Sequence, residues 1–173
     1  MKDPYQAFLE SPTRTRYRCL RQAVLSDPAY EDQSAGAAEL EDLRRTRAYI
    51  AFSHRERELF RTWKLSPRYH WLVGTVALEV DDHDTVELAK FQFQTCLAAM
   101  LSSGVGTVAK PYLVTRNTDP YDILAALQRS PGRQQLIDRE GVLMDVIQCT
   151  DGGELCFDAG VKTHTHQAAV SHR

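Results

Sequence analysis

The sequence predicts an α+β fold, with N-terminal helices followed by a sheet of about four strands that carries helices on one face. Three observations predict it. Helix start signals built on proline recur in the first third, the segment Tyr69–Val80 is rich in β-branched and aromatic residues, and residues 142–161 show two strand patterns around Asp151-Gly152-Gly153. Because 173 residues is the size of one ordinary domain, we expect a single domain.

Residues 1–66 are predicted to form an N-terminal helical region. Asp3-Pro4 and Ser11-Pro12 each place a capping side chain before a proline, which favours a helix start. A long helix is predicted over residues 37–64. Its apolar positions are irregularly spaced, so a break or a short strand at Tyr49–Phe52 stays open as an alternative.

Residues 67–162 are predicted to form the sheet region of the same domain, in the order β-α-β-α-β-β. A strand over Tyr69–Val80 is followed by a helix that begins at an Asp84 cap and ends at Gly104 in a left-handed conformation. The next strand is predicted over residues 105–115, where Pro111 favours a sheet edge or a bulge. The unit 69–116 then has the length of a right-handed βαβ crossover.

The last third is predicted to hold a helix and a hairpin. Asn117-Thr118-Asp119-Pro120 starts the helix, and residues 133–139 are expected to add at most one more helical turn. A two-residue turn at Gly152-Gly153 would place Cys149 opposite Cys156. A zinc site of these cysteines with His164 and His166 matches no spacing that we can justify. Residues 163–173 lack a core pattern and are expected to form a flexible tail.

Charge and cysteine content argue for a cytoplasmic protein. The net charge is −2, which favours neither nucleic acid nor a membrane surface as a partner. Residues 1–70 carry a net charge of +3 and residues 71–173 a net charge of −5. The four cysteines are sparse, and the N-terminus has no apolar run that would act as a leader.

The candidate binding residues are two arginines and three aromatic residues. Arg44 and Arg47 lie on the predicted long helix, either as ordinary solvated ion-pair partners or as a surface for an acidic partner. Trp63, Tyr69 and Trp71 surround Pro67, where they would line a partner surface or fill a corner of the core.

An acidic cluster offers a metal site as an alternative. Asp81, Asp82 and Asp84 follow a predicted strand, and their oxygens would suit Mg²⁺ or Mn²⁺. His83 or His54 would then act as the acid or base. The plainer interpretation is a helix start whose carboxylates favour the positive end of the helix.

No phosphate loop, dinucleotide-binding glycine motif or nucleophile elbow occurs in the sequence. The leading hypothesis is therefore a cytosolic accessory or regulatory protein, without catalytic activity or cofactor, that acts through a protein partner or self-association. The first alternative is a small metal-assisted hydrolase or phosphoryl-transfer enzyme. The second is a sensor that binds a small molecule between sheet and helices.

Overall fold

The computed structural model describes residues 3–31, 35–139 and 142–162, so the predicted tail over 163–173, with His164 and His166, lies outside the described residues. The fold class is α+β with a four-stranded mixed sheet, which confirms the prediction. The helices of the described residues are α1 (Pro4–Glu10), α2 (Arg14–Leu25), α3 (Gly36–Arg45), α4 (Tyr49–Trp63), α5 (Pro67–Glu79), α6 (His83–Ser103) and α7 (Asp119–Ala126). The strands are β1 (Tyr112–Leu113), β2 (Pro131–Arg139), β3 (Val142–Cys149) and β4 (Glu154–Lys162).

Helices α1 and α2 begin at short polar side chains. The Asp3 carboxylate accepts a hydrogen bond from the Tyr5 amide at 3.1 Å, as its position before Pro4 predicts. The prediction of a second start at Ser11-Pro12 is wrong by two residues. Thr13 caps α2 instead and accepts from the Arg16 amide at 3.3 Å, which leaves Ser11 as the C-cap of α1.

The predicted long helix over residues 37–64 is two helices. Helix α3 ends before a turn in which Arg47 has a φ of 55°, a left-handed conformation that a right-handed α-helix does not contain. Helix α4 begins at Tyr49, so the segment Tyr49–Phe52 is neither a strand nor a mid-helix break but the first turn of α4. The alternative of two elements instead of one helix is therefore correct, but the break lies at residues 46–48, just before the predicted segment.

The predicted strand over Tyr69–Val80 is wrong, because these residues lie in helix α5. Ser66 and Pro67 occupy the N-cap and first helical position, a signal that the β-rich composition obscured. Helix α5 packs antiparallel to α6, and a Cβ at Gly74 would lie only 3.2 Å from the Cβ of Ala89. Since no strand precedes α6, the predicted βαβ crossover over 69–116 is also wrong.

Helix α6 matches its predicted length, but its ends differ in detail. Asp82 and not Asp84 is the N-cap, and it accepts from the Thr85 amide at 3.1 Å. Gly104 has a φ of −152°, which is extended and not left-handed. Glycine is needed there because a Cβ would overlap the Pro111 carbonyl.

The sheet has the order β1-β4-β3-β2, with β1 parallel to β4 and the other pairs antiparallel. Strand β1 keeps only two residues of the predicted 105–115 strand and lies at an edge, as Pro111 predicts. The expected helical turn at 133–139 is wrong, because these residues belong to edge strand β2.

The β3–β4 hairpin is confirmed, but its turn is longer than predicted. Residues 150–152 form a three-residue loop in which Gly152 has a φ of 86°. Cys156 therefore pairs with Val146, and Cys149 lies beside Gly153 instead of opposite Cys156. Both cysteines are buried and free.

Two hydrophobic cores hold these elements. The larger core joins α1, α2, α6, α7 and the sheet through Tyr5, Phe8, Tyr17, Cys96, Met100, Ile123, Ile147 and Phe157. The smaller core joins α3, α4 and α5 through Leu40, Phe52, Leu59, Trp63, Tyr69, Leu72 and Val76. Helix α5 therefore packs on one side against α3 and α4 and on another against α6.

Candidate functional site

The aromatic residues predicted to bind a partner divide between the core and the surface. Trp63 and Tyr69 are each 1% exposed and belong to the smaller core, where no partner could touch them. Trp71 is 45% exposed. The Arg68 guanidinium carbon lies 5.4 Å from the centre of the Trp71 ring, which places a cation against this exposed indole.

The two predicted arginines lie at the turn between α3 and α4. Arg44 donates to Glu41 at 2.6 and 3.0 Å and to Glu79 of α5 at 2.8 Å. These hydrogen bonds to carboxylates raise the pKa of Arg44, so the group is committed to an ion-pair network. Arg47 lies in the turn itself and is exposed.

The residues of the predicted acidic cluster lie at the start of α6. Both carboxylate oxygens of Asp82 accept from Thr85, at 3.1 Å from its amide and 2.6 Å from its hydroxyl, and these bonds lower the pKa of Asp82. Asp81 has a φ of 59° in the preceding turn, and Asp84 is exposed in the first helical turn. Across residues 3–31, 35–139 and 142–162, no group of three histidine, cysteine or acidic side chains is placed to hold a metal ion.

The two predicted acid–base histidines are exposed and far apart in the chain. His83 is the first residue of α6. His54 lies on α4 beside a shallow depression that Glu39, Arg55 and Glu58 also line. Arg55 binds both carboxylates, at 2.7 Å from Glu39 and 2.9 Å from Glu58, so surface ion pairs form part of this depression, which Leu43 and Ala51 also line.

A cleft of about 340 Å³ lies between α4, α5 and the start of α6. Helices α4 and α5 are antiparallel, so the start of α4 lies beside the end of α5. There the Tyr49 hydroxyl donates to Glu79 at 3.1 Å and closes one end of the cleft. The floor is apolar and is formed by Phe52, Val73, Val76, Ala77 and Val80.

The rim of the cleft is polar and acidic. In the described part of the chain, the rim residues are Tyr49, Ser53, Glu56, Asp82 and Thr85, with two carboxylates and no basic side chain. Glu56 accepts from the Tyr69 hydroxyl at 2.8 Å, which fixes this carboxylate at the rim. The exposed residues Asp81 and Asp84 add negative charge close to Asp82 in the chain. The cleft therefore combines an apolar floor with a negative border.

Apolar side chains continue outside the cleft. Val80 forms part of its floor and is still 47% exposed. Leu88 is 54% exposed and follows Thr85 by three residues, so it lies on the same side of α6 one turn further on. Exposed leucine and valine beside an apolar cleft enlarge the surface that a binding partner would remove from water.

A buried polar junction, which the sequence interpretation missed, joins the end of α4, the start of α5 and the start of α7. Asp119 is fully buried and accepts four hydrogen bonds, which come from the Ser66 hydroxyl, the Thr115 amide and hydroxyl, and the Arg116 amide, at 2.6–3.0 Å. Burial raises the pKa of Asp119, and these donors oppose that rise. The sequence signal was Asp119 before Pro120, which predicted a helix start but not burial.

Arg116 extends the junction. Its guanidinium donates to the Glu31 carbonyl at 2.6 Å and the Thr62 carbonyl at 2.7 Å. Its central carbon lies 4.4 Å from the ring centres of both Tyr30 and Trp63, so the cation is stacked between two aromatic rings. This arrangement ties three separate chain segments together.

Asp122 lies one turn further along α7, and its carboxylate accepts fewer hydrogen bonds than that of Asp119. Its Oδ1 accepts from Arg68 at 2.7 Å, whereas the buried Oδ2 has no hydrogen-bond partner. Burial raises the pKa of Asp122 to about 6, and the nearby Arg68 charge only partly offsets that rise.

The buried histidine of α5 and the buried thiol of the larger core are poorly suited to acid–base or nucleophilic chemistry. His70 is 1% exposed, and burial lowers its pKa to about 4, so the ring is neutral at physiological pH. Its Nε2 lies 2.8 Å from the Lys64 carbonyl and 3.2 Å from the Tyr5 hydroxyl. Burial also raises the pKa of the Cys96 thiol, which disfavours the reactive thiolate.

Comparison with known proteins finds no relative of this chain. No protein-family description matches the chain, and neither a curated protein nor a solved structure is significantly similar to it. No described helix is both long enough and apolar enough to cross a membrane.

Proposed function

We propose that this protein is a non-catalytic accessory protein that binds a segment of a partner protein in the cleft between α4, α5 and α6. The observation that carries this proposal is the apolar floor of Phe52, Val76 and Val80 under an acidic rim. Such a surface fits a segment in which an apolar side chain is flanked by lysine or arginine. The apolar residue would fill the cleft, and the basic residues would meet Glu56 and Asp82.

Charge on the two sides of Tyr49 supports a basic partner. On the cleft side, Glu56 and Asp82 line the rim, and Asp81 and Asp84 lie close by in the sequence. On the other side, Glu41 and Glu79 balance the charge of Arg44, whereas the exposed Arg47 adds positive charge there. An approaching basic segment is therefore attracted by Glu56 and Asp82, whereas the Arg57 guanidinium, which donates to Ser53 at 2.9 Å, opposes it at that part of the rim.

The apolar surface beyond the cleft favours a protein segment over a small molecule. A volume of about 340 Å³ is at the low end of ligand pockets, which hold roughly 300–1,000 Å³. A compact ligand in the cleft would leave Leu88 in water, whereas a peptide could cover the cleft and this residue together. Burial of both contributes to affinity in proportion to the apolar area removed from water.

A pair of synthetic peptides tests the proposal. Each carries a central leucine, flanked by lysines in one peptide and by glutamates in the other. We expect the lysine peptide to bind and to shift the amide signals of α4, α5 and the start of α6 in a ¹⁵N NMR titration. We expect the glutamate peptide to bind at least tenfold more weakly, because its charges face the acidic rim.

A substitution that fills the cleft sharpens the test. Ser53 lies at the rim, and its hydroxyl accepts from Arg57 at 2.9 Å. Ser26, at the end of α2, accepts from Gln22 at 3.0 Å and provides a matched control. Ser53→Phe should abolish binding of the lysine peptide, whereas Ser26→Phe should leave it unchanged. Equal binding by both variants, with melting curves that show both are folded, would overturn the proposal.

A further inference from the structure

Strand β2 presents a long exposed edge. It is the last strand in the order β1-β4-β3-β2, and in the described residues it pairs only with β3. Residues 131–136 and Asp138 are exposed. Every second residue of an antiparallel edge strand turns its amide and carbonyl away from the sheet, so β2 offers hydrogen-bonding groups to another strand.

The middle of β2 carries an apolar side chain in water. Leu136 is 68% exposed and pairs with Asp145 of β3. Two residues before it, Gln134 donates to Asp145 at 2.5 Å and accepts from Tyr121 at 2.6 Å. These bonds hold Gln134 on the same face as Leu136, so this part of the edge is ordered.

We infer that β2 is a self-association site, at which two copies of this chain join their sheets by antiparallel pairing across a two-fold axis. A two-fold axis at Leu136 places this residue opposite its own copy. In that register Gln134 lies opposite Asp138, and Gln135 lies opposite Ile137, on both sides of the axis. The leucines cover each other, and each uncharged Gln134 lies opposite an acidic Asp138, so like charges do not face each other between residues 134 and 138.

The ends of β2 limit this pairing to a short stretch. Pro131 has no amide hydrogen, and the register shifts between Pro131 and Gln134. The same register brings position 133 opposite position 139, and both are arginine. About five residues therefore pair, and we expect a reversible dimer that depends on protein concentration.

This inference goes beyond the proposed function and does not rest on it. The cleft lies between helices, whereas the association site is an edge of the sheet. A dimer would carry two clefts, which would strengthen binding to a partner that presents two basic segments.

Sedimentation velocity over a hundredfold range of protein concentration tests the association. We expect the wild type to shift from monomer to dimer. Leu136→Lys should stay monomeric at every concentration, because lysine on an edge strand opposes pairing. Val105→Lys changes another exposed apolar residue, which is 60% exposed, and should still form dimers. A wild type that is monomeric throughout, or a Leu136→Lys variant that forms dimers, overturns the inference.

Cysteine cross-linking tests the register. Cys19 is the exposed one of the four cysteines, so Cys19→Ser supplies the background. Under mild oxidation, Leu136→Cys should form a disulfide-linked dimer and Gln135→Cys should not, since residue 135 lies opposite 137. Equal cross-linking at both positions overturns the register. Leu136→Lys should still bind the lysine peptide and Ser53→Phe should still form dimers, so failure of this inference and failure of the proposed function are distinguishable.

Discussion

Helix α5 forms part of both the buried junction and the cleft, and the two regions use polar side chains in opposite ways. In the junction, Asp119 accepts four hydrogen bonds out of contact with water. In the cleft, the rim carboxylates Glu56 and Asp82 each bond to a nearby residue and remain in contact with solvent. The first region is built for stability, and the second retains charge that a partner can use.

The difference follows from the free-energy cost of removing a carboxylate from water. A buried carboxylate is tolerable only when donors replace the water that it loses, and removal of such a group leaves those donors unsatisfied. A rim carboxylate keeps its water, so its contribution to stability is small. Substitutions in the junction should therefore act on folding, whereas those at the cleft should act on binding.

The largest effect is expected for Asp119→Ala. It removes the acceptor of the Thr115 and Arg116 amides and of the Ser66 hydroxyl. We expect a loss of at least about 3 kcal/mol in the free energy of unfolding, because unsatisfied buried groups cost about 1–3 kcal/mol each. Urea denaturation followed by circular dichroism measures it.

Asp84→Ala is the matched control, since Asp84 also lies in the first turn of a helix but is exposed. We expect a much smaller loss from this variant. Similar losses in the two variants would show that the buried bonds of Asp119 contribute little to stability, and the contrast between junction and cleft would fail.

An intermediate effect on the free energy of unfolding is expected for Asp122→Asn, and this effect should depend on pH. Burial raises the pKa of Asp122 to about 6, so the folded protein holds this proton more tightly than the unfolded chain does. The stabilisation is complete below about pH 4 and is lost as pH rises through about 6. Relative to Asp122→Asn, the wild type should lose about 2 kcal/mol of unfolding free energy between pH 4 and pH 7.

Asp151→Asn should show a difference of the opposite sign. The exposed Asp151 accepts from Arg129 at 2.7 Å, and this contact lowers the pKa of the carboxyl. Its stabilisation is present at neutral pH and is lost as pH falls, and solvent screening keeps it small. Parallel pH profiles for the two variants would contradict the assignment of Asp122 as a carboxyl with a raised pKa.

Elements with local end signals could be predicted from the sequence. Helix α7 begins at Asp119-Pro120 and the β3–β4 hairpin turns at residues 150–152, because capping and turn residues act over a few positions. Helix α5 could not be predicted from its composition. It is buried against α3 and α4 on one side and α6 on another, so no polar stripe marks its helical period.

Strand β2 illustrates a second limit. Its sequence, PGRQQLIDR, is polar and exposed. These residues form a strand because they pair with β3, and a local sequence pattern does not reveal that long-range pairing. The cleft has the same character, since its floor and rim come from three helices. The acidic cluster was recognised, but the helix cap is Asp82 and not Asp84, a shift of two residues that changes which carboxylate lines the cleft.

The smallest effect is expected at Asp82, which caps helix α6 and also contributes a negative charge to the rim of the cleft. Asp82→Ser keeps a capping oxygen and removes the charge, whereas Asp82→Ala removes both. We expect the melting temperature to stay near that of the wild type in the serine variant and to fall by about 2–4 °C in the alanine variant. Because one exposed charge contributes little, both should bind the lysine peptide only about two- to threefold more weakly. If the serine variant instead binds like the wild type and only the alanine variant is weakened, the cleft depends on the order of the first turn of α6 and not on its charge.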